Sequence, residues 1–406
     1  MRDRTSAGKT CLIPGSGGRV LVLSMRRLST LAAYCGQYEF EDVVTAATGA
    51  DRVEADDTRA LEFSRRAYKV LRVGSRSRRL ARAWAPGPST LRLAQDYDLF
   101  FPIFNNPHEL YALATVPDWR RRCRLAACFI NEIWAHLWPT ELLELLTDFD
   151  HVFLGSRPCA EQVQKLVGRP CSYLPLATDV LRFAPLPQPP PRMIDVCNIG
   201  RRSPVTHEAL MTLARERRIF YYYDTIAASG PGLKQRTFHV DSATEHRLLL
   251  AGLLQRSQYF IANRSRVNEA DLAVQEVISS RFYEGAAAGT VVLGEAPRSE
   301  DFAQQFNWRD AVIPLPFDSP DIERILAELN TDPQRVERAR SENIRQSALR
   351  HDWSHRFQTV LATLGLSPTE ALLRRDERLR ALAESAGDTS PLSSRKLASY
   401  AVLNAK

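Results

Sequence analysis

Short apolar runs recur along this chain, and most are followed by a stretch with apolar positions at helical spacing. Arg19-Val20-Leu21-Val22-Leu23-Ser24 is apolar over its four central positions, the pattern of a buried strand. From Asp57 to about Trp84 charge alternates with Leu, Phe, Tyr and Val at a helical period, which predicts one long helix. Apolar strands are predicted at 96–104, 124–130, 149–154 and 171–175, with helices at 140–146 and 158–167. The pattern then breaks. Pro185, Pro187, Pro189, Pro190 and Pro191 exclude both helix and central strand and predict a semi-rigid linker. Beyond it the alternation restarts, with strands at 193–199, 219–223, 259–262, 290–293 and 311–314. Helices are predicted at 204–217, 246–254, 279–288, 320–330, 333–350 and 353–364.

Short apolar strands alternating with helices predict parallel sheets covered on both faces. The expected fold class is α/β, with two Rossmann-like doubly wound domains facing a cleft and ligands at the carboxyl ends of the strands. The expected division is a flexible leader over 1–17, a first domain over 18–184 and the linker over 185–192. A second domain follows over 193–365, then a charged helical tail over 366–406 with one amphipathic helix at 368–385.

Composition narrows the function classes. A chain of 406 residues, 44% hydrophobic and 25% charged, has the make-up of a globular protein with two cores. No apolar run approaches the ~18 residues of a membrane span. Nor does an apolar h-region follow Met1-Arg2-Asp3-Arg4, so a cytoplasmic location is expected, open to contact with the inner face of the membrane. The 7 cysteines form no C-x-x-C pair, which leaves no zinc or disulfide framework to expect. The net charge of +7 is carried mostly by arginine, densest over Ser75–Arg82. That run has no interleaved aromatic residue, so a nucleic-acid partner is not expected. The basic run reads as a solvated arginine face of its helix, and the helix over 65–82 and the stretch over 368–385 are candidate surfaces for peripheral membrane contact.

The chemistry concentrates in Arg281-Phe282-Tyr283-Glu284-Gly285-Ala286-Ala287-Ala288-Gly289-Thr290-Val291-Val292-Leu293. Small residues form a short helix, Gly289 ends it and a β-branched strand follows. Ser279 and Ser280 are placed to cap the helix and to leave free amides for a phosphate. Glu284, four residues after Ser280, is placed to accept both hydroxyls of a ribose. Glu276 precedes the cap, with seven residues between it and Glu284, and would face a bound sugar. Arg281 could reach the phosphates. Gly200-Arg201-Arg202 follows the first strand of the second half, where anions bind, and Asn263-Arg264-Ser265-Arg266 could add a cation there. Asp224 reads as a base contact or a turn cap.

From about His151 onward the chain resembles bacterial two-domain (GT-B) glycosyltransferases of the "glycosyl transferases group 1" kind, in their CgeB-like, spore-maturation branch. The residues carrying the resemblance are Leu174-Pro175-Leu176-Ala177-Thr178-Asp179 with Phe183, Ile194-Asp195-Val196 with Ile199-Gly200-Arg201-Arg202, and Glu276 through Leu293. The resemblance implies a nucleoside-diphosphate-sugar donor held mainly by the second domain and a metal-independent transfer without a further cofactor. It makes Glu276 and Glu284 the family's paired acids. The sequence departs from the pattern at Val277-Ile278, where the family has Gly-Phe-Gly, and it lacks the usual phosphate-binding lysine, for which Arg202 would substitute.

The acceptor, a glycan, a lipid-linked sugar or a protein, belongs with the first domain. Its catalytic base is sought among His108, Asn131, Glu132 and His136, with Glu132 first because it directly follows a buried strand. Two other functions share these features: a degenerate protein of this fold with a binding or assembly role, and a nucleotide-sugar epimerase.

Overall fold

The computed structural model describes residues 11–13, 19–55, 58–84, 91–133, 140–224, 238–269 and 276–387. The expected leader, apart from 11–13, lies outside them, as do His136 and the end of the expected tail. Two compact units make up the protein. The first is built from the chain up to Pro175 with His239–Ala243 and Phe357–Leu372, and the second from Leu176–Phe238, Thr244–Arg356 and the chain from Leu373.

The described strands are β1 (Cys11–Ile13), β2 (Val20–Ser24), β3 (Asp51–Glu54), β4 (Leu91–Leu93), β5 (Tyr97–Phe100), β6 (Ile103–Phe104), β7 (Cys123–Ile130), β8 (His151–Leu154) and β9 (Cys171–Tyr173) in the first unit. The second has β10 (Ile194–Asn198), β11 (Tyr221–Tyr223), β12 (Ser257–Ile261), β13 (Val291–Gly294) and β14 (Ile313–Pro314). The main sheet of the first unit runs β3-β2-β5-β7-β8-β9, with β6 also on β7, and β1 pairs β4 separately. The sheet of the second unit runs β11-β10-β12-β13-β14. All these pairings are parallel.

Both sheets are therefore doubly wound, as the sequence predicts. In each, the first strand sits between the second and the third, so chain direction across the sheet reverses beside β2 and beside β10. Loops leave in opposite directions there and open a crevice at the carboxyl ends of the strands. Alternate residues along one strand serve different cores. Tyr259 and Ile261 pack into one cluster with Val291 and Leu293, while Phe260 packs with Val292, Phe282 and Ala286 in another. This two-sided burial makes the strands read as unbroken apolar runs.

Three local readings change. The strand expected over 96–104 is two strands, because Pro102 has no N–H to donate; its carbonyl still accepts from Phe129 N at 3.1 Å. The helix expected from Asp57 to Trp84 is two, Thr58–Ser75 and Arg78–Trp84, separated where Arg76 takes a φ of 52°. A helix over Cys35–Thr48 and the strand β3 have no counterpart in the sequence reading. That helix buries Gln37, Glu39 and Glu41 along with Tyr38 and Phe40, and β3 buries only Val53, so neither shows an apolar period.

Candidate functional site

In the second unit the strand order reverses at β10. Beyond its carboxyl end, Gly200 N donates to Asp224 Oδ2 at 2.8 Å. Asp224 Oδ1 also accepts from Arg202, whose guanidinium lies 5.3 Å from the Tyr223 ring centre. Arg201 turns away to Asn268 Oδ1, at 2.8 Å, and to Glu269. The two neighbouring arginines thus have separate tethers: Arg202 is fixed beside the ends of β10 and β11, Arg201 to the loop after β12. Asp224 is the clasp of the Gly200–Arg202 turn.

The loop after β12 is bound to the segment that leads into helix Ser280–Ala287. Asn263 O accepts from Ser279 Oγ at 2.7 Å, Asn263 Oδ1 from Glu295 N at 2.9 Å, and Val277 O from Ser265 N at 2.9 Å. Ser279 occupies the N-cap position, as the sequence predicts, but its hydroxyl makes no cap hydrogen bond because it is engaged with Asn263. In the first turn Phe282 N donates to Ser279 O at 3.3 Å, and the amides of Ser280 and Arg281 precede the first bonds of the helix. Glu276 has a φ of 39°, and its carboxylate accepts from Arg298 N, which pins the entry loop. At the far end Gly289 has a φ of 61°, and a Cβ there would lie 2.7 Å from Ile344 Cδ1, so both conformation and space demand glycine.

Glu284 is 1% exposed and bridges two arginines. Oε1 accepts from Arg247 Nη1 and Oε2 from Arg281 Nη1, the latter at 2.7 Å. Arg247, on helix Ala243–Gln255, also donates to Thr178 Oγ1 at 2.9 Å and stands 4.7 Å from the Phe183 ring centre. Burial alone would raise the Glu284 pKa, but the charges of Arg281 and Arg247 and their hydrogen bonds hold it at about 2. Neighbouring His246 is pushed down to about 4, first by burial and then by the same two arginines. The site is thus cationic around one fixed carboxylate. Arg281 is the outer arginine of the pair, its side chain 25% exposed against 3% for Arg247. Arg247 was not singled out in the sequence, where it is an ordinary helix residue 37 positions before its partner.

In the first unit, Glu132 follows β7, and its backbone N donates to Asn105 O at 2.8 Å. Asn131 N donates to Phe104 O at 3.0 Å. His108 is exposed as a residue but partly desolvated at its ring, 3.3 Å from Arg65 Nη1, and its pKa is lowered by that desolvation and then by Arg65. The acid beside it, Glu109, had no role in the sequence reading. It sits on the 3₁₀ helix Pro107–Thr115, where Asn105 N donates to Oε2 at 2.6 Å and Asn105 Nδ2 to Oε1 at 3.0 Å. Burial, opposed by these hydrogen bonds and aided by the charge of Glu132, raises Glu109 to about 7. It lines a pocket of about 230 Å³ with Leu28, Leu31, Tyr34, His108 and Tyr111.

A carboxyl group whose pKa rises on folding stabilises fully below its unfolded pKa, and the contribution fades as pH rises through the folded value. Glu109 should therefore make the protein less stable between pH 4.5 and about 7. Urea unfolding across this range should show that decline together with that of buried Glu41, which burial raises to about 8, and Glu109→Gln should remove the Glu109 part of it.

Residues 239–362 match the family model described as glycosyl transferase-like, which takes in helix Ala243–Gln255, β12, the Glu276–Leu293 segment and β14. No curated protein matches the chain in sequence. Among solved structures it is similar to Anabaena HepE in complex with UDP-glucose, at 14% identity and a TM-score of 0.46, over 86% of this chain and 99% of that one. It is similar to TarM at 7% identity and a TM-score of 0.40, over 65% of this chain and 54% of that one. Similarity to the GtfA/B complex bound to UDP and GlcNAc is at 12% identity and a TM-score of 0.32, over 66% and 56% of the two chains. Among the described residues no helix is long and apolar enough to cross a membrane.

Proposed function

We propose that this protein is a glycosyltransferase that moves a sugar from a nucleoside-diphosphate sugar to a hydroxyl of a glycan, lipid-linked or protein acceptor. The observation that carries the reading is Arg281, set at the start of helix Ser280–Ala287 by the buried carboxylate of Glu284, on the carboxyl side of β12 in a doubly wound sheet. The match of residues 239–362 to a glycosyl transferase-like family supports it. In transfer, the leaving nucleoside diphosphate gains negative charge, and fixed cations with free amides stabilise it most where that charge develops. Arg281 and the amides of Ser279, Ser280 and Arg281 take the pyrophosphate, with Arg202 and the Gly200 turn beside them. Arg201 supports the loop through Asn268. On this reading these cations do the work a metal does elsewhere, and the reaction uses a donor and an acceptor without a further cofactor.

Glu284 on this reading positions Arg281, and a ribose meets its carboxylate only if Arg281 swings aside, because both oxygens are held by arginines and the residue is 1% exposed. Glu276 shapes the loop facing the transferred sugar, and Gly289 ends the donor helix. The acceptor proton goes to a carboxylate of the first unit, either Glu132 or Glu109. Glu109 has the better-matched pKa, since a base works best when it titrates near the working pH.

Thermal unfolding against UDP-, GDP-, ADP- and dTDP-sugars tests the proposal. One nucleotide class should raise the melting temperature, by an amount equivalent to about 2.7 kcal/mol at a hundred times Kd. Arg281→Met should fold normally and lose the shift. No shift with any donor would refute the donor site.

A further inference from the structure

We propose that the outer face of helix Thr58–Ser75 is a docking surface for an anionic lipid bilayer. The helix has two unlike faces. Its inner side buries Leu61, Ser64 and Tyr68, with the Tyr68 ring centre 5.6 Å from that of Tyr111. Arg72 clamps this orientation with two hydrogen bonds of 2.8 Å to Glu144, and Lys69 reaches Glu141 at 2.7 Å. The outer side carries large apolar residues in water: Phe63 is 65% exposed, Val70 71% and Val73 69%. Spacings of seven and three residues put all three on one stripe. A helix held to its protein on one side should have polar residues on the other, and large apolar side chains gathered in water on one face mark a binding surface.

The charges around the stripe choose the occupant. Arg66, Arg76 and Arg79 are exposed beside it, and the one acid of helices Thr58–Ser75 and Arg78–Trp84, Glu62, is already paired with Arg65 and Arg66. A second copy docking through the same stripe would bring these arginines against their own counterparts, an unfavourable like-charge contact. A nucleic acid would satisfy the arginines but leave Phe63, Val70 and Val73 in water. An anionic membrane satisfies both, taking the apolar side chains into the acyl boundary while lipid phosphates meet the arginines. The surface lies within the first unit and makes no use of the donor site, so it stands apart from the sugar-transfer reading.

Co-sedimentation of the full chain with vesicles tests it, without nucleotide. The protein should pellet with phosphatidylcholine vesicles containing about 30% phosphatidylglycerol and stay in solution with phosphatidylcholine alone. The double variant Phe63→Ser, Val70→Ser should lose roughly tenfold in partitioning with an unchanged melting temperature, because both side chains are already exposed. Arg66→Gln with Arg79→Gln should weaken binding to the anionic vesicles. Absence of pelleting, or equal pelleting of the double variant, would overturn the proposal. So would salt-sensitive oligonucleotide binding in place of vesicle binding.

Discussion

Replacing Glu284 with alanine should destabilise the second unit by about 3–5 kcal/mol and abolish any response to a nucleotide sugar. The stability loss follows from what remains. Arg247, 3% exposed, would keep its charge in the core without its carboxylate, while Arg281 would be free to leave the helix N-terminus. Because Glu284 titrates at about 2, below its ordinary 4.5, its stabilisation is fully present above the ordinary value and is lost as pH falls through about 2. The alanine variant should therefore lose part of the acid dependence of unfolding. Urea titrations at neutral and acid pH measure both effects. Adding Arg247→Met to Glu284→Ala should restore stability by removing the orphaned charge, yet leave donor binding absent. If stability returned together with donor binding, the positioning of Arg281 by Glu284 would be wrong.

The second large effect is expected at Gly294, the last residue of β13. Its φ is 156°, and a Cβ added there would stand 1.7 Å from the carbonyl oxygen of Ala262. The oxygen cannot retreat cheaply, because Ala262 N donates to Leu293 O at 2.8 Å while Gly294 O accepts from Leu315 N at 3.1 Å. Gly294→Ala must separate strand ends that these bonds hold together, and the next residue, Glu295, anchors Asn263 and Arg264 of the site. A loss of more than about 4 kcal/mol, or failure to accumulate as folded protein, is expected from backbone displacement of this kind. Gly252→Ala is the contrast. Inside helix Ala243–Gln255, its Cβ would meet only Arg256 Nη1 at 3.7 Å, and the change should stabilise by about 0.5–1 kcal/mol. Circular dichroism during urea unfolding separates the two outcomes.

The alternation of strands and helices was legible because the main strands are largely buried on both faces and so carry apolar residues at most positions. β3 and helix Cys35–Thr48 were not, since one is a polar edge strand and the other places charged residues in the interior. Helix Ser280–Ala287 was legible locally: a run of small residues, a glycine at its end and a strand beyond. Its electrostatics were not. The pairing of Arg247 with Glu284 joins separate helices and leaves no periodic or neighbouring signal. Ser279 shows the same limit on a smaller scale. Its position at the helix start was readable, but the partner of its hydroxyl depends on the carbonyl of Asn263, brought there by the fold.

The first unit is completed by residues from near the end of the described chain. Phe357 places its ring 5.6 Å from that of Phe101, and Thr369 Oγ1 donates to Ala47 O. During synthesis these partners arrive after β10 to β14 have been made. The earlier-translated residues of this unit therefore wait, with part of their interior uncovered, until Phe357–Leu372 has been made. The last packing step of the unit is tied to the arrival of that segment rather than to the appearance of its own sheet.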